Sequence, residues 1–354
     1  MPTDAQTIYT ASKGRICADG QPMDLHGINW FGLDTPDLAP HGLWTGRSLD
    51  SFMHQIRDLG FNSLRLPVCP GAIRLGNPVA DWAEPIGSHG RQVLEETLWA
   101  ADRAGLHVLL DLHTHDPLKY PGGLAPTPYE ETGSYTRSDW FSDLQELARL
   151  ADEHPSVFGI DLFNEPHGWD WQTWSSEAAA AAQVVLKQNP RMVIFVEGTG
   201  HKSSDGQDDA FWGSWLAEAM ECLPDIPSDK LVYSPHIYGP DVFDQPYFQT
   251  SDFPHNLPDL WDRHFGHLYG TGHTVCLGEF GGFARPESRD AVWLDTFVDW
   301  MRSKGDAACG QWFYWCLNPN SADTGGVLQD DWLTPVKHKH QALQGIMTHR
   351  RLTV

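Results

Sequence analysis

Two stretches of the chain each end an apolar run on one glutamate. The first is Gly159-Ile160-Asp161-Leu162-Phe163-Asn164-Glu165-Pro166. Residues 157–163 are apolar enough and long enough for a buried strand. Pro166 fixes its own φ and biases Glu165 away from the helical region. A carboxylate is therefore presented at the C-terminal end of a strand, on a turn that cannot relax easily. The second stretch, Thr274-Val275-Cys276-Leu277-Gly278-Glu279-Phe280 followed by Gly281-Gly282, repeats the design. A glutamate at a strand end is ordinarily a solvated cap or a salt-bridge partner. Two at the mouths of two buried strands are what glycosidic bond cleavage requires, one acid and one base or nucleophile.

The elements that must hold these residues recur along the whole chain as a short apolar strand, a loop and an amphipathic helix. Strands are expected at 23–30, 62–66, 106–112, 157–163, 192–196, 231–238, 274–280 and 310–317. Ser48 should cap a helix stopped by Gly60; a second, 92–104, stops at Gly105; Ser138 should cap a third, to about Glu153. Further helices are expected from the alanine run 178–182 to Gln188, and over 212–220, 258–268, 289–302 and 336–348. Asp19-Gly20 marks a small hairpin turn before the first strand. Trp169, Trp171 and Trp174 fall in the loop after the fourth strand, whereas Trp99 and Trp293 sit inside helical patterns as core. Eight strand–helix alternations predict an α/β fold, a (β/α)8 TIM barrel with extended βα loops. One catalytic domain should fill residues 1–354, with the barrel over roughly 23–350.

Bulk properties agree. The 354 residues suit one barrel, typically ~250 residues plus insertions. A hydrophobic fraction of 41% supplies a large core. The net charge of −23 argues against nucleic acid or an anionic membrane as partner. No run of 18 apolar residues exists to span a membrane. Sixteen tryptophans are an excess whose flat faces suit sugar rings. The six cysteines show no metal spacing; Cys276 and Cys316 read as buried thiols, and one bridge among the others is left open.

In such barrels the site lies at the C-terminal strand ends. Those ends hold Asn29, Trp30, Arg65, His113, Asn164, Glu165, Glu197, His236, Tyr238, Glu279 and Trp315. The set resembles glycoside hydrolase family 5, the retaining cellulases and mannanases. The resemblance covers nearly the whole chain. It is carried by Leu64-Arg65-Leu66-Pro67, Asp111-Leu112-His113, Phe163-Asn164-Glu165-Pro166, His236-Ile237-Tyr238, Leu277-Gly278-Glu279-Phe280-Gly281 and Trp312-Phe313-Tyr314-Trp315. Within the family, Gly27-Ile28-Asn29-Trp30-Phe31-Gly32, His41-Gly42-Leu43-Trp44 and Asp323-Thr324-Gly325-Gly326 look most like the bacterial endo-1,4-β-glucanases.

The resemblance implies an endo-acting retaining enzyme on cellulose or related β-glucan. Glu165 would be the acid/base and Glu279 the nucleophile, held ionised by Arg65 and Tyr238. Asn164 would bond the sugar 2-hydroxyl, His113 and His236 would orient substrate and carboxylates, and Trp315 would floor the −1 sugar site. Trp30, Trp44, Trp169, Trp171 and Trp212 are candidate stacking platforms. The alternative substrates are mannan, xyloglucan and mixed-linkage β-glucan, because loops set specificity. A remoter alternative is a metal-dependent barrel hydrolase using His113 and His115, whose H-x-H spacing suits a metal. That alternative leaves Asn164-Glu165-Pro166 unexplained, and the acidic loop 323–332 reads as solvated, so no metal and no cofactor are expected. A polymer substrate implies a secreted, extracellular enzyme, expected to act as a monomer.

Overall fold

The computed structural model of the protein describes residues 6–347. Strands Leu25–Asn29, Ser63–Val68, His107–Leu112, Val157–Asp161, Val193–Val196, Leu231–Tyr233, Thr274–Val275 and Gln311–Tyr314 form one sheet. Each pairs in parallel with its sequence neighbour, and the eighth returns to pair with the first. The remaining seam, between the seventh and eighth strands, is closed by a bridge from Leu277 to Trp312. There the Phe313 N–H donates to the Leu277 carbonyl at 2.8 Å. The expected barrel is therefore the observed one.

The sixth and seventh strands are each broken and resumed. Pro235 cannot donate to a ladder, and beyond it His236–Tyr238 pairs with Glu279–Gly281, placing His236 opposite Glu279. This break is how two site residues from different strands come side by side.

The lower barrel is apolar. Leu25, Leu109, Phe158, Phe195, Val232 and Phe313 fill it, and the N-terminal strands Tyr9–Ser12, Arg15–Ala18 and Gln21–Pro22 close it from below. The Ile16 N–H donates to Gln311 Oε1, and Gln311 Nε2 returns to the Gly14 carbonyl. Gly27 makes room for Phe313 on the neighbouring eighth strand, since a Cβ there would fall 2.0 Å from that ring.

Helices form the outer layer. Ser48 caps Leu49–Asp58 by accepting from the Ser51 N–H, and Gly105 ends Gly90–Ala104 at φ 65°. The third helix, Arg137–Glu153, is capped by Thr136 rather than Ser138, because Thr136 and Asp139 make a reciprocal capping box. Asp170 caps the next at Trp171, so Trp171–Gln188 starts well before the alanine run and takes Trp171 and Trp174 out of the loop. The helix expected over 212–220 is instead strand Ala210–Trp215, paired antiparallel with Thr199–His201. Leu257–His264, Arg289–Ser303 and Lys337–Gln344 complete the main set. The end expected for the last helix, Thr348, lies outside the described residues. Trp293 is core as expected, but Trp99 is 44% exposed, edge-on to His154. All six cysteines are free thiols, and Cys276 and Cys316 are fully buried. Among the described residues no helix is long and apolar enough to cross a membrane.

Candidate active site

The fourth strand stops at Asp161, and the chain reaches Glu165 in the left-handed region at φ 47°. For a residue with a Cβ that conformation costs about 1–3 kcal/mol and must be held from outside. The hold is Glu197, whose Oε2 accepts the Glu165 N–H at 2.7 Å. Glu279 opens the resumed part of the seventh strand. One carboxylate oxygen of each glutamate and a ring nitrogen of His236 lie within 4.8 Å of one another. His236 Nδ1 is 3.0 Å from Glu165 Oε1 and 3.6 Å from Glu279 Oε2.

Beneath them lies a buried charge network centred on Arg65, which is completely inaccessible. Nη1 donates to Glu279 Oε1 at 2.5 Å and to Asn29 Oδ1 at 3.1 Å. Nη2 meets Asp161, Asp111, Glu197 and Asn164, all at 3.0–3.2 Å. The second oxygen of Glu279 accepts from the Tyr238 hydroxyl. Both oxygens of Glu279 thus face hydrogen-bond donors.

The two glutamates are treated differently. Burial pushes the Glu165 carboxyl up to about 7, against the pull of the bonded His236 imidazolium. Burial opposes the charge of His236, but Glu197 and Glu279 hold it well above the ordinary histidine range. His113 is also raised, to about 9: burial opposes its charge, and the Asp111 carboxylate, 2.6 Å from Nδ1, overrides it. One carboxyl keeps its proton near neutrality, beside another bonded to a guanidinium and a phenol.

The pair opens into a cleft of about 380 Å³, lined among others by Asn164, Phe211, Trp212, Tyr238, Phe243 and Trp315. The Trp315 ring lies parallel to His113 at 5.5 Å and to Phe31 at 5.6 Å, so it presents a fixed flat face. From Phe31 a chain of rings continues through His41 to Trp44, which is 41% exposed. On the other side Trp212, 39% exposed, stacks on His167 at 3.7 Å.

Three expected platforms are corrected. Trp30 is fully buried on Phe52, with its indole N–H donated to the His41 carbonyl. Trp171 is buried in its helix and donates to the Cys222 carbonyl. Trp169 packs edge-on to Tyr129 beside Trp174 and does not line the cleft.

The geometry does not favour the metal alternative. His113 is bonded to Asp111, and His115 is stacked on Tyr135. Among the described residues neither belongs to a cluster of potential metal ligands. Glu165, His236 and Glu279 are close enough to meet a cation, but Arg65 and the charged His236 already occupy that ground.

Two contributors were absent from the expected site, Asp111 and Asp161, both fully buried; Glu197, expected at its strand end, completes the carboxylates around Arg65. Both are carboxylates in otherwise apolar strands, as in Leu109-Leu110-Asp111-Leu112, and that exception is the available signal.

The cellulase (glycosyl hydrolase family 5) sequence profile matches residues 17–321. The chain is 39% identical to the major extracellular endoglucanase of Xanthomonas campestris pv. campestris over 95% of this chain and 70% of that protein. It is 35% identical to an endoglucanase of Paenibacillus polymyxa, covering 98% of this chain and 89% of that one. The structure is similar to an endocellulase from Pyrococcus horikoshii solved with cellotetraose, with a TM-score of 0.87 and 34% identity, covering 98% of this chain and 100% of that one.

Proposed function

Since the chain belongs to glycosyl hydrolase family 5, the cellulases, we propose that it is an endo-1,4-β-glucanase working by double displacement, with Glu165 as acid/base and Glu279 as nucleophile. In the first step Glu279 attacks the anomeric carbon while Glu165 gives its proton to the departing glycosidic oxygen. The glycosidic C–O bond breaks and a glycosyl ester forms on Glu279. In the second step Glu165, now a carboxylate, takes a proton from water. That water attacks the anomeric carbon and Glu279 leaves as the anion.

The observation that carries this reading is the short separation of the two carboxylates, with oxygens within 4.8 Å. Retaining glycosidases hold their carboxyls about 5–5.5 Å apart, whereas inverting enzymes leave about 6.5–9.5 Å for a water. Arg65 and Tyr238 each donate to one oxygen of Glu279 and so hold it aimed. Asn164, fixed through its Oδ1 by Arg65, turns its amide toward the 2-hydroxyl of the −1 sugar. Trp315 floors that subsite, with His113 behind it. Trp212, which lines the cleft, and Trp44, at the end of the ring chain from Trp315, are the exposed candidates for sugars further along. Secretion follows from a polymer that cannot enter a cell, and the Xanthomonas campestris relative is named as extracellular.

Reducing-sugar release from carboxymethyl cellulose, barley β-glucan, glucomannan and xyloglucan tests the reading, with wild type and Glu279→Ala side by side. Activity on carboxymethyl cellulose that vanishes in the variant is expected. Activity confined to glucomannan or xyloglucan would keep the mechanism and replace the substrate. Activity surviving in Glu279→Ala would remove the site assignment.

A further inference from the structure

Glu197 touches neither the cleft nor the reacting atoms, yet the acid/base depends on it twice. Its Oε2 accepts the Glu165 N–H at 2.7 Å, at the residue whose φ of 47° needs an external hold. Its Oε1 meets Arg65 Nη2 at 3.0 Å and His236 Nε2 at 3.2 Å. The opposite nitrogen of that same imidazole ring faces the Glu165 carboxyl at 3.0 Å. The Glu197 backbone is fixed too, since its carbonyl accepts the Trp174 indole N–H at 2.8 Å. A single buried carboxylate therefore grips Glu165 directly through its backbone and indirectly through His236.

We propose that Glu197 is a positioning residue of the reaction, fixing both the place and the protonation of Glu165. The reasoning is electrostatic. Glu165 and His236 hold their protons as a linked pair. The charged and titratable groups facing that pair are Glu197, Glu279, Arg65, Asp161, Tyr238 and His167. Arg65 repels the protons of the pair, so the neighbouring carboxylates must retain them. Tyr238 stays neutral, since burial and then Glu279 raise its phenol, and burial lowers His167 below the ordinary histidine range. Glu279 is committed to the reaction and shared with Arg65 and Tyr238. Burial and then Glu197 raise the Asp161 carboxyl well above the ordinary carboxylate range, so Glu197 is the carboxylate left to do it. Removing its charge must make the first proton leave the pair at lower pH. Shortening it must free the Glu165 backbone while leaving the charge.

The proposal rests on Glu165 being the acid, and the test separates the two claims. Glu197→Gln keeps the shape and removes the charge; Glu197→Asp keeps the charge and is one methylene short. On cellotetraose, the alkaline limb of kcat/KM should move down by about one pH unit in Glu197→Gln. In Glu197→Asp the limb should stay in place while kcat falls about tenfold or more. A limb that stays or rises in Glu197→Gln, or full kcat in Glu197→Asp, overturns the proposal; the second result decides the matter even if Glu197→Gln does not fold. The acid assignment is checked with 2,4-dinitrophenyl cellobioside, whose leaving group needs no proton. Glu165→Ala should retain far more of its first-step rate on that substrate than on cellotetraose. Equal losses on both substrates would remove the acid assignment itself, whatever the Glu197 variants show.

Discussion

Replacing Arg65 by lysine keeps the charge and removes the geometry. The guanidinium meets six acceptor atoms: Asp161 Oδ2, Asp111 Oδ2, Glu197 Oε1, Asn164 Oδ1, Asn29 Oδ1 and Glu279 Oε1. A lysine ammonium has three donors against the guanidinium's five, so about two hydrogen bonds go unmade. Hydrogen bonds to charged groups contribute about 1.5–3 kcal/mol each. Two such bonds give a loss of about 3–6 kcal/mol, overlapping the roughly 3–5 kcal/mol for breaking a buried ion pair. At about 2 °C per kcal/mol for a chain this long, Tm should fall by about 6–12 °C. The effect on catalysis follows from the single bond to Glu279. Losing about 1.5–3 kcal/mol of its stabilisation lowers kcat roughly 10- to 150-fold. Scanning calorimetry and initial rates on cellotetraose measure both. An Arg65→Lys protein melting within about 2 °C of wild type, with kcat within about threefold, would refute the view that the buried fork organises the site.

Three further expectations follow from the same geometry. The alkaline limb of kcat/KM should fall near pH 7, because Glu165 must be protonated in the free enzyme and burial raises its carboxyl to about 7; a pH–rate profile flat to pH 9 would contradict this. Glu165→Gln should stabilise the fold more at alkaline than at acid pH. A carboxyl raised from 4.5 to about 7 binds its proton more tightly in the folded state. Its penalty is therefore absent below about pH 4.5, grows as pH rises to 7, and reaches on the order of 3 kcal/mol above that, to be read as Tm differences at pH 4.5 and 8. Trp212→Ala should raise KM for cellotetraose about 5- to 10-fold with kcat nearly unchanged, whereas Trp30→Phe should leave KM alone, since that ring is sealed in the core.

Local signals were read best. Ser48, Gly60 and Gly105 punctuate helices through contacts within a few residues, so their effects are visible in the chain itself. Thr136 in place of Ser138 was a choice between two adjacent candidates that the reciprocal bond with Asp139 decides. The strand Ala210–Trp215 was misread as a helix because its partner, Thr199–His201, supplies the pairing from outside the segment. The two glutamates that the structure brings together, Glu165 and Glu279, were legible because each ends an apolar run. The network beneath them was not, because Arg65 meets Glu279 across 214 residues of sequence and only barrel closure brings them together. Trp30 and Trp212 look alike in the sequence, each next to a phenylalanine and near a glycine. Their opposite fates, sealed on Phe52 or exposed over His167, depend on which way each strand end faces.

The central claim is a covalent intermediate on Glu279, formed with help from Glu165. Incubation with 2,4-dinitrophenyl 2-deoxy-2-fluoro-β-cellobioside, followed by mass spectrometry of the digested protein, tests it most directly. The fluorine slows both steps and the good leaving group restores the first, so a retaining enzyme accumulates its glycosyl ester. The account predicts stoichiometric inactivation, with the added mass on the peptide carrying Glu279. Full activity with no adduct, or the label on Glu165 or any other residue, would contradict it.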